Sequence, residues 1–142
     1  MAARKGSAEW QGDLKGGGGT VTVGEGAWTG SYSFVSRFEE GEGTNPEELI
    51  AAAHASCFAM ALSNALAEAG TPPDSIKAEA GVSLRRVDDA PTIAQIDLDV
   101  VGSVPGIDEE TFLATAEEAK KACPVSRALA GVPEINLSAR LA

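Results

Sequence analysis

An almost uninterrupted apolar run at residues 49–62, Leu-Ile-Ala-Ala-Ala-His-Ala-Ser-Cys-Phe-Ala-Met-Ala-Leu, constrains the fold of this chain more than any other feature. The alanines, leucines and methionine of this run favour an α-helix. Because its polar exceptions are His54 and Ser56, the helix is apolar around most of its circumference. One sheet covers only one side of such a helix. We therefore predict a second covering layer, most simply a second copy of the chain.

Local signals at both ends predict where this helix begins and ends. Asn45 is a suitable N-cap and Pro46 suits the first helical position. Glu48 stands three residues after the cap, as in a capping box. The helix is predicted to reach about residue 69 and to end at Gly70.

The rest of the chain predicts strands and one further helix. Alternating apolar and polar residues predict strands at 7–12, 20–23, 31–38, 76–85, 95–100 and 135–141. The third of these places Arg37 on a strand. A second helix is predicted from its cap at Asp108 to Ala122, with a short helical turn at 125–130. We expect one α+β domain over residues 1–142, with antiparallel sheets around the buried central helix.

Composition narrows the class of protein. The 142 residues carry a formal net charge of −10, which disfavours nucleic acid and anionic membranes as partners. We expect the apolar run to be too short to span a bilayer. No secretion signal is predicted, because no apolar stretch follows the basic residues near the N-terminus. Two cysteines are too few for a disulfide framework, so a reducing cytoplasm is expected.

The two cysteines, Cys57 in the apolar helix and Cys123 in a Cys-Pro-Val-Ser turn, are the main candidates for chemistry. Burial raises the pKa of a thiol unless a cation offsets it. Arg37 is the best candidate for that cation, and an early carboxylate of the helix, Glu47 or Glu48, could orient it. Ten positions separate Glu47 from Cys57, which is about 15 Å along a straight helix. Either the helix bends, or a second copy of the chain supplies Glu47.

Two other interpretations of these residues stay open at this point. Cys57 can be an inert core residue. A metal site is also conceivable, because His54 and Cys57 are spaced i, i+3 on the helix. A zinc site needs about four ligands, whereas the chain has one histidine and two cysteines. We therefore expect His54 to be a core or interface residue with a satisfied ring.

Several motifs together resemble the OsmC/Ohr family of thiol-dependent hydroperoxidases. The resemblance rests on Thr-Asn-Pro-Glu-Glu-Leu at 44–49, Ala-Ala-Ala-His-Ala-Ser-Cys-Phe at 51–58 and Cys-Pro-Val-Ser at 123–126. It extends to segments at 9–13, 15–20 and 104–108 and so covers nearly the whole chain. Arg-Phe-Glu at 37–39 is similar to the OsmC branch, since Ohr proteins carry their arginine earlier.

The resemblance implies an intertwined homodimer with active sites at the subunit interface. By this resemblance, Cys57 is the peroxidatic thiol and Cys123 the resolving thiol. Arg37 would stabilise the Cys57 thiolate, and Glu47 would orient Arg37. The reaction would convert an organic hydroperoxide to an alcohol through a Cys57 sulfenic acid and a Cys57–Cys123 disulfide.

The same resemblance suggests the partners and the physiological role. We expect a dithiol reductant, such as a dihydrolipoyl protein, no cofactor, weaker reaction with hydrogen peroxide, and a role in oxidative or osmotic stress defence. Side chains near the site that suit an organic substrate are Phe34, Phe38, Phe58 and Met60. The alternative is a non-catalytic dimer of the same fold that binds a hydrophobic ligand.

Overall fold

The computed structural model describes residues Met1–Ala142 and divides into two compact units, Met1–Leu49 and Ile50–Ala142. Each unit contains a three-stranded sheet. In chain order the elements are β1 (Gly6–Gln11), β2 (Gly18–Val23), β3 (Trp28–Tyr32), α1 (Phe34–Phe38), α2 (Pro46–Glu68), β4 (Ser75–Val87), β5 (Ala90–Ser103), α3 (Glu109–Ala122), α4 (Pro124–Ala128) and β6 (Glu134–Leu141). The predicted α+β class is confirmed.

The sheet of the first unit is an antiparallel meander in the order β1-β2-β3. Gly19 pairs with Trp10 on one side and with Tyr32 on the other. The two aromatic rings meet across this glycine, with their centroids 5.3 Å apart. A Cβ at Gly19 would lie 2.6 Å from the carbonyl oxygen of Glu9 and 2.7 Å from the Tyr32 ring. A glycine is therefore required for the aromatic pair to close.

The predicted strand at 31–38 is wrong from Ser33 onward. Strand β3 ends at Tyr32, and α1 follows. Ser33 caps α1, because its hydroxyl accepts from the N–H of Ser36 at 3.1 Å while the Ser36 hydroxyl accepts from the N–H of Ser33 at 2.8 Å. This reciprocal capping box satisfies the N–H groups of Ser33 and Ser36, which in a strand would pair with a neighbouring strand. As a result, Arg37 lies on a helix and not on a strand.

Helix α2 begins and ends close to the predicted positions. The Asn45 side-chain oxygen accepts from the N–H of Glu48 at 2.8 Å, as expected of an N-cap. The Glu48 carboxylate, however, accepts from the Thr44 hydroxyl at 3.1 Å and does not complete the capping box. Gly70, with φ of +90°, follows the last turn in the left-handed conformation that glycine permits.

The chain itself covers only one side of α2. Four fully buried residues spaced four apart form one line along this helix: His54, Phe58, Leu62 and Leu66. The opposite line is exposed and consists of Ala52, Ser56, Met60 and Asn64. Met60 is 75% exposed, an unusual position for a large apolar side chain. Half of the apolar circumference therefore lacks a covering layer within the chain.

The length of α2 corrects one expectation. The helix has 23 residues, and a window within it reaches a mean hydropathy of 1.5. By length and composition it is long and apolar enough to cross a membrane, so the expectation that it is too short is wrong. Core helices meet the same criterion, and one such helix is weak evidence for a membrane span.

The second unit's sheet has the order β4-β5-β6. Strands β4 and β5 form the predicted antiparallel hairpin, with Asp88 and Asp89 at positive φ in its two-residue turn. The last strand, β6, pairs with β5 in parallel, so the prediction of antiparallel sheets is wrong here. A parallel pair needs a crossover connection, which α3 and α4 supply.

The crossover helices fix the position of Cys123. Asp108 caps α3, its carboxylate accepting from the N–H of Thr111 at 2.7 Å. Phe112 of α3 is fully buried, and a Cβ at Gly102 would lie 2.5 Å from its ring, so the helix packs close to the sheet. The N–H of Cys123 still bonds to Ala119 in the last turn of α3. Cys123 is therefore held at the junction of α3 and α4.

Candidate active site

The two thiols lie together within the second unit. Cys57, on α2, is partly buried, and Cys123 is fully buried between α3 and α4. Both are free thiols, and their Sγ atoms are 3.2 Å apart, within hydrogen-bonding distance. A disulfide bond is about 2.0 Å long, so a small displacement of either side chain would join them. The structure thus brings the predicted pair into reacting distance.

The surroundings of the two sulfurs act on their pKa values in opposite directions. Burial raises the pKa of the Cys57 thiol, and the Cys123 thiol raises it further. A hydrogen bond from the N–H of Val125 lowers this pKa but does not cancel the other two effects. Burial also acts to raise the pKa of Cys123. Hydrogen bonds from Ser126, Cys57 and Val125 outweigh that burial and leave the pKa of Cys123 below its ordinary value. Within one chain, Cys57 lacks the cation that a thiolate at this position requires.

Arg37 and Glu47 form an ion pair within the first unit. The guanidinium Nε lies 3.2 Å from both carboxylate oxygens of Glu47, and Nη2 lies 2.8 Å from Oε1. Glu47 is 8% exposed, whereas the Arg37 side chain is 35% exposed. Nη1 makes no hydrogen bond within the chain. The carboxylate therefore fixes the plane of the guanidinium and leaves one amino group free to bind another anion.

A cavity of about 430 Å³ lies beside this ion pair in the first unit. The residues that line it are Trp10, Gly12, Leu14, Tyr32, Ser33, Phe34, Arg37 and Phe38. Phe34 and Phe38 therefore line this cavity, and the Arg37 guanidinium lies 5.2 Å from the centroid of the Phe38 ring. Phe58 is fully buried in the core and cannot contact a substrate, because its position on α2 faces the sheet. Met60 lines a separate groove in the second unit.

His54 is buried one helical turn before Cys57. Its Nε2 lies 2.6 Å from the Ser126 hydroxyl, while its buried Nδ1 has no hydrogen-bond partner. The expectation of a satisfied ring is therefore correct for one nitrogen only. Burial lowers the pKa of His54. No group of three or more His, Cys, Asp or Glu side chains lies together as metal ligands would.

Sequence reasoning missed Ser126 as a neighbour of the site. The available signal was its spacing. Ser126 follows Cys123 by three residues, as Cys57 follows His54 by three. Residues three apart on a helix lie on one face, so this spacing made His54 and Ser126 candidates for a second contact beside that of the cysteines.

An α+β fold with two thiols in contact, one of them on a long apolar helix, defines a dithiol redox class of protein. The model of the OsmC family, described as OsmC-like protein, matches residues 39–138 of this chain. Peroxiredoxin OsmC of Escherichia coli (strain K12) is 50% identical over 139 residues, which cover 97% of this chain and 96% of that protein. The organic hydroperoxide resistance protein OhrB of Bacillus subtilis is 31% identical over 120 residues, covering 84% and 87%. The chain belongs to the OsmC family.

Solved structures show the same fold. The organic hydroperoxide resistance protein of Elizabethkingia anophelis superposes with a TM-score of 0.80 at 22% identity and covers 99% of both chains. OhrB of Bacillus subtilis superposes with a TM-score of 0.74 at 26% identity, covering 97% of this chain and 98% of that one. The predicted family and an α+β fold of the OsmC/Ohr type are therefore confirmed, and the higher identity to the OsmC relative agrees with the predicted branch.

Proposed function

We propose that this protein is a thiol-dependent peroxidase that reduces organic hydroperoxides to alcohols. The observation that carries the proposal is the 3.2 Å contact between Cys57 and Cys123, an arrangement that can store two electrons as two thiols and release them as one disulfide. The relatives named as a peroxiredoxin and as organic hydroperoxide resistance proteins support this function. They do not favour the alternative of a non-catalytic dimer that binds a hydrophobic ligand.

In the proposed reaction, the Cys57 thiolate attacks one oxygen of the hydroperoxide. The O–O bond breaks, the alkoxide takes a proton and leaves as the alcohol, and Cys57 becomes a sulfenic acid. The sulfur of Cys123 then attacks the sulfur of Cys57, the S–O bond breaks, and water leaves. An external dithiol reduces the resulting disulfide by thiol–disulfide exchange.

Cys57 needs a cation to ionise, and we propose that a second copy of the chain supplies it. Burial raises the pKa of Cys57 within one chain. Cys57 follows Glu47 by ten positions on α2, which is about 15 Å along a straight helix, so these two residues of one helix cannot meet in one site. The exposed apolar side of α2 around Met60 favours a homodimer, in which the pair of the partner subunit approaches Cys57.

The cavity beside Arg37 supports an organic substrate. Five of the residues that line it have large apolar or aromatic side chains: Trp10, Leu14, Tyr32, Phe34 and Phe38. An alkyl or aryl group gains free energy when it leaves water for such a surface, whereas hydrogen peroxide has no apolar group to bury. We propose that hydrogen peroxide is the weaker substrate and that the protein acts as one OsmC-like domain in the cytoplasm, with a dithiol such as a dihydrolipoyl protein as its reductant.

The test is a peroxidase assay with cumene hydroperoxide and dihydrolipoamide, run on the wild type, Cys57→Ser and Cys123→Ser. We expect turnover in the wild type, no turnover in Cys57→Ser, and a sulfenic acid that a dimedone probe traps in Cys123→Ser. Equal, slow consumption of peroxide by all three proteins would contradict the proposal and favour the ligand-binding alternative. Faster reaction with hydrogen peroxide would contradict the substrate class alone.

A further inference from the structure

The thiol pair is one half of a larger arrangement. His54 and Cys57 are three residues apart on α2, and Cys123 and Ser126 are three residues apart at the start of α4. The two segments face each other through two parallel contacts, Cys57 Sγ to Cys123 Sγ at 3.2 Å and His54 Nε2 to Ser126 Oγ at 2.6 Å. We call these four residues the thiol ladder.

The contact between His54 and Ser126, which we call the outer contact of the thiol ladder, is shielded from water. His54 is 0% exposed and Ser126 is 8% exposed, and Nδ1 of the imidazole has no partner. A buried polar side chain that leaves one nitrogen unpaired costs stability. A leucine of similar size would fill the same space without that cost. Packing alone therefore does not explain why a histidine and a serine occupy these two buried positions.

The position of the histidine proton follows from the same contacts. If Nε2 carried no proton, Nδ1 would carry it as a buried, unpaired N–H donor. With the proton on Nε2, the imidazole donates to the Ser126 oxygen, and only a lone pair at Nδ1 stays unpaired. The Ser126 hydroxyl hydrogen is then free for another acceptor. The N–H and side chain of Ser126 both act to lower the pKa of Cys123, the residue that precedes α4, so the sulfur of Cys123 is the acceptor that we infer.

We propose that His54 and Ser126 are positioning residues for the resolving step, in which Cys123 closes the disulfide on Cys57. The inference rests on the proposed peroxidase function. When Cys123 attacks the sulfenic acid, its thiol proton must leave, and the hydroxyl released from Cys57 gains a proton to become water. The Ser126 hydroxyl, held by His54, donates to the Cys123 sulfur as negative charge develops there. A hydrogen bond to a charged group is stronger than one to a neutral group.

The first test separates the two chemical steps by stopped flow with cumene hydroperoxide in the absence of reductant. The loss of peroxide reports the attack by Cys57, and the loss of dimedone-reactive sulfenic acid reports disulfide closure. In Ser126→Ala we expect the ratio of the closure rate to the attack rate to fall about tenfold. Ser126→Thr, which keeps the hydroxyl, should recover most of that ratio. Ser138→Ala, an exposed serine of β6 in the same unit, is the matched control.

Variants of His54 test the outer contact. His54→Gln keeps a donor in reach of Ser126, while His54→Leu keeps only bulk. We expect closure to be slower in His54→Leu than in His54→Gln, with the folded fraction checked by circular dichroism. Equal rates in the two variants, or an unchanged ratio in Ser126→Ala, would overturn the proposal.

A second measurement does not require peroxidase activity. In a Cys57→Ser background, the thiolate absorbance at 240 nm follows the ionisation of Cys123 alone. Adding Ser126→Ala should raise the pKa of Cys123, because the thiolate loses a hydrogen-bond donor. An unchanged pKa would overturn the role of Ser126. If the wild type fails to reduce hydroperoxides but this pKa still moves, the peroxidase proposal fails while the assignment of Ser126 as a donor to Cys123 stands.

Discussion

Replacing Arg37 tests whether the ion pair serves catalysis or only folding. Arg37→Gln removes the cation but leaves a polar side chain of similar reach. Arg37→Lys keeps the charge but cannot contact Glu47 through two nitrogens, as Nε and Nη2 do here. Both variants leave the two thiols in place. Once the folded fraction of each variant is known, a remaining loss of peroxide reduction is assigned to the guanidinium.

The expected effect on rate follows from the pKa of Cys57. An adjacent opposite charge shifts a pKa by about 1–3 units, and a thiolate fraction falls about tenfold for each unit. A thiolate of higher pKa is also a better nucleophile, with a Brønsted slope of about 0.4–0.5. The net loss is then about threefold for each unit, so we expect Arg37→Gln to reduce hydroperoxide about 3- to 30-fold more slowly.

The effect on stability is smaller and is measured separately. Removing Arg37 leaves Glu47, which is 8% exposed, without its cation. The Arg37 side chain is 35% exposed, so the cost lies below that of a fully buried pair, at about 1–2 kcal/mol. Arg140→Gln, which breaks an exposed ion pair with Asp99, is the matched control for both measurements.

The assay is stopped-flow reduction of cumene hydroperoxide across a range of pH, with urea unfolding on the same samples. The pH dependence of Arg37→Gln should move to higher pH, since the Cys57 thiolate loses its cation. The rate of hydroperoxide reduction by Arg37→Lys should lie between the rates of the wild type and Arg37→Gln. A rate within twofold of the wild type, together with lower stability, would show that the pair is structural and would refute the proposed role.

Three further perturbations probe the fold and the assembly. Phe58→Ala removes a fully buried ring from the core and should cost about 3–5 kcal/mol in urea unfolding; a cost below about 1 kcal/mol would contradict its core position. Met60→Glu places a charge on the exposed side of α2 and should convert the proposed dimer to a monomer in sedimentation velocity, whereas a dimer that persists would place the interface elsewhere. The Thr111 hydroxyl and N–H lower the pKa of Asp108, so its contribution to stability is present above the ordinary carboxyl pKa and is lost as pH falls through the folded value. As pH falls, the free energy of unfolding of Asp108→Asn should therefore decrease less steeply than that of the wild type. An equally steep decrease in both proteins would contradict this.

The predictable parts of the fold are those with strong local signals. Asn45 and Asp108 each accept a hydrogen bond from the third residue after them, as their positions before apolar helical patterns predicted. Alternation predicted the hairpin of β4 and β5. The short helix α1 was missed because its sequence also alternates, and the contacts that decide the outcome are made by two serines, Ser33 and Ser36. Such small polar residues fit turns, caps and strand edges alike.

Long-range pairing was less accessible from sequence. The alternating pattern of β6 shows which face is buried but not the direction in which the strand runs beside β5. At the site, the sequence singled out Cys57, Cys123, Arg37 and Glu47 as candidates, and the structure shows the two cysteines in contact and the other two as an ion pair, while their catalytic roles stay predictions. The burial of Phe58 was not predicted, because a helix that is apolar on all sides does not show which side faces the sheet. The contact between His54 and Ser126 spans 72 positions and depends on the crossover through α3.

The central claim is that Cys57 and Cys123 form one redox pair, and mass spectrometry after a single oxidation tests it most directly. Fully reduced protein receives one equivalent of cumene hydroperoxide under nitrogen, and the intact mass and the peptide map are read without reductant. We predict the loss of two hydrogen atoms and of both free thiols, with the peptides of Cys57 and Cys123 linked. Oxygen atoms added to Cys57 without a linked peptide, or two thiols that survive unchanged, would contradict the account.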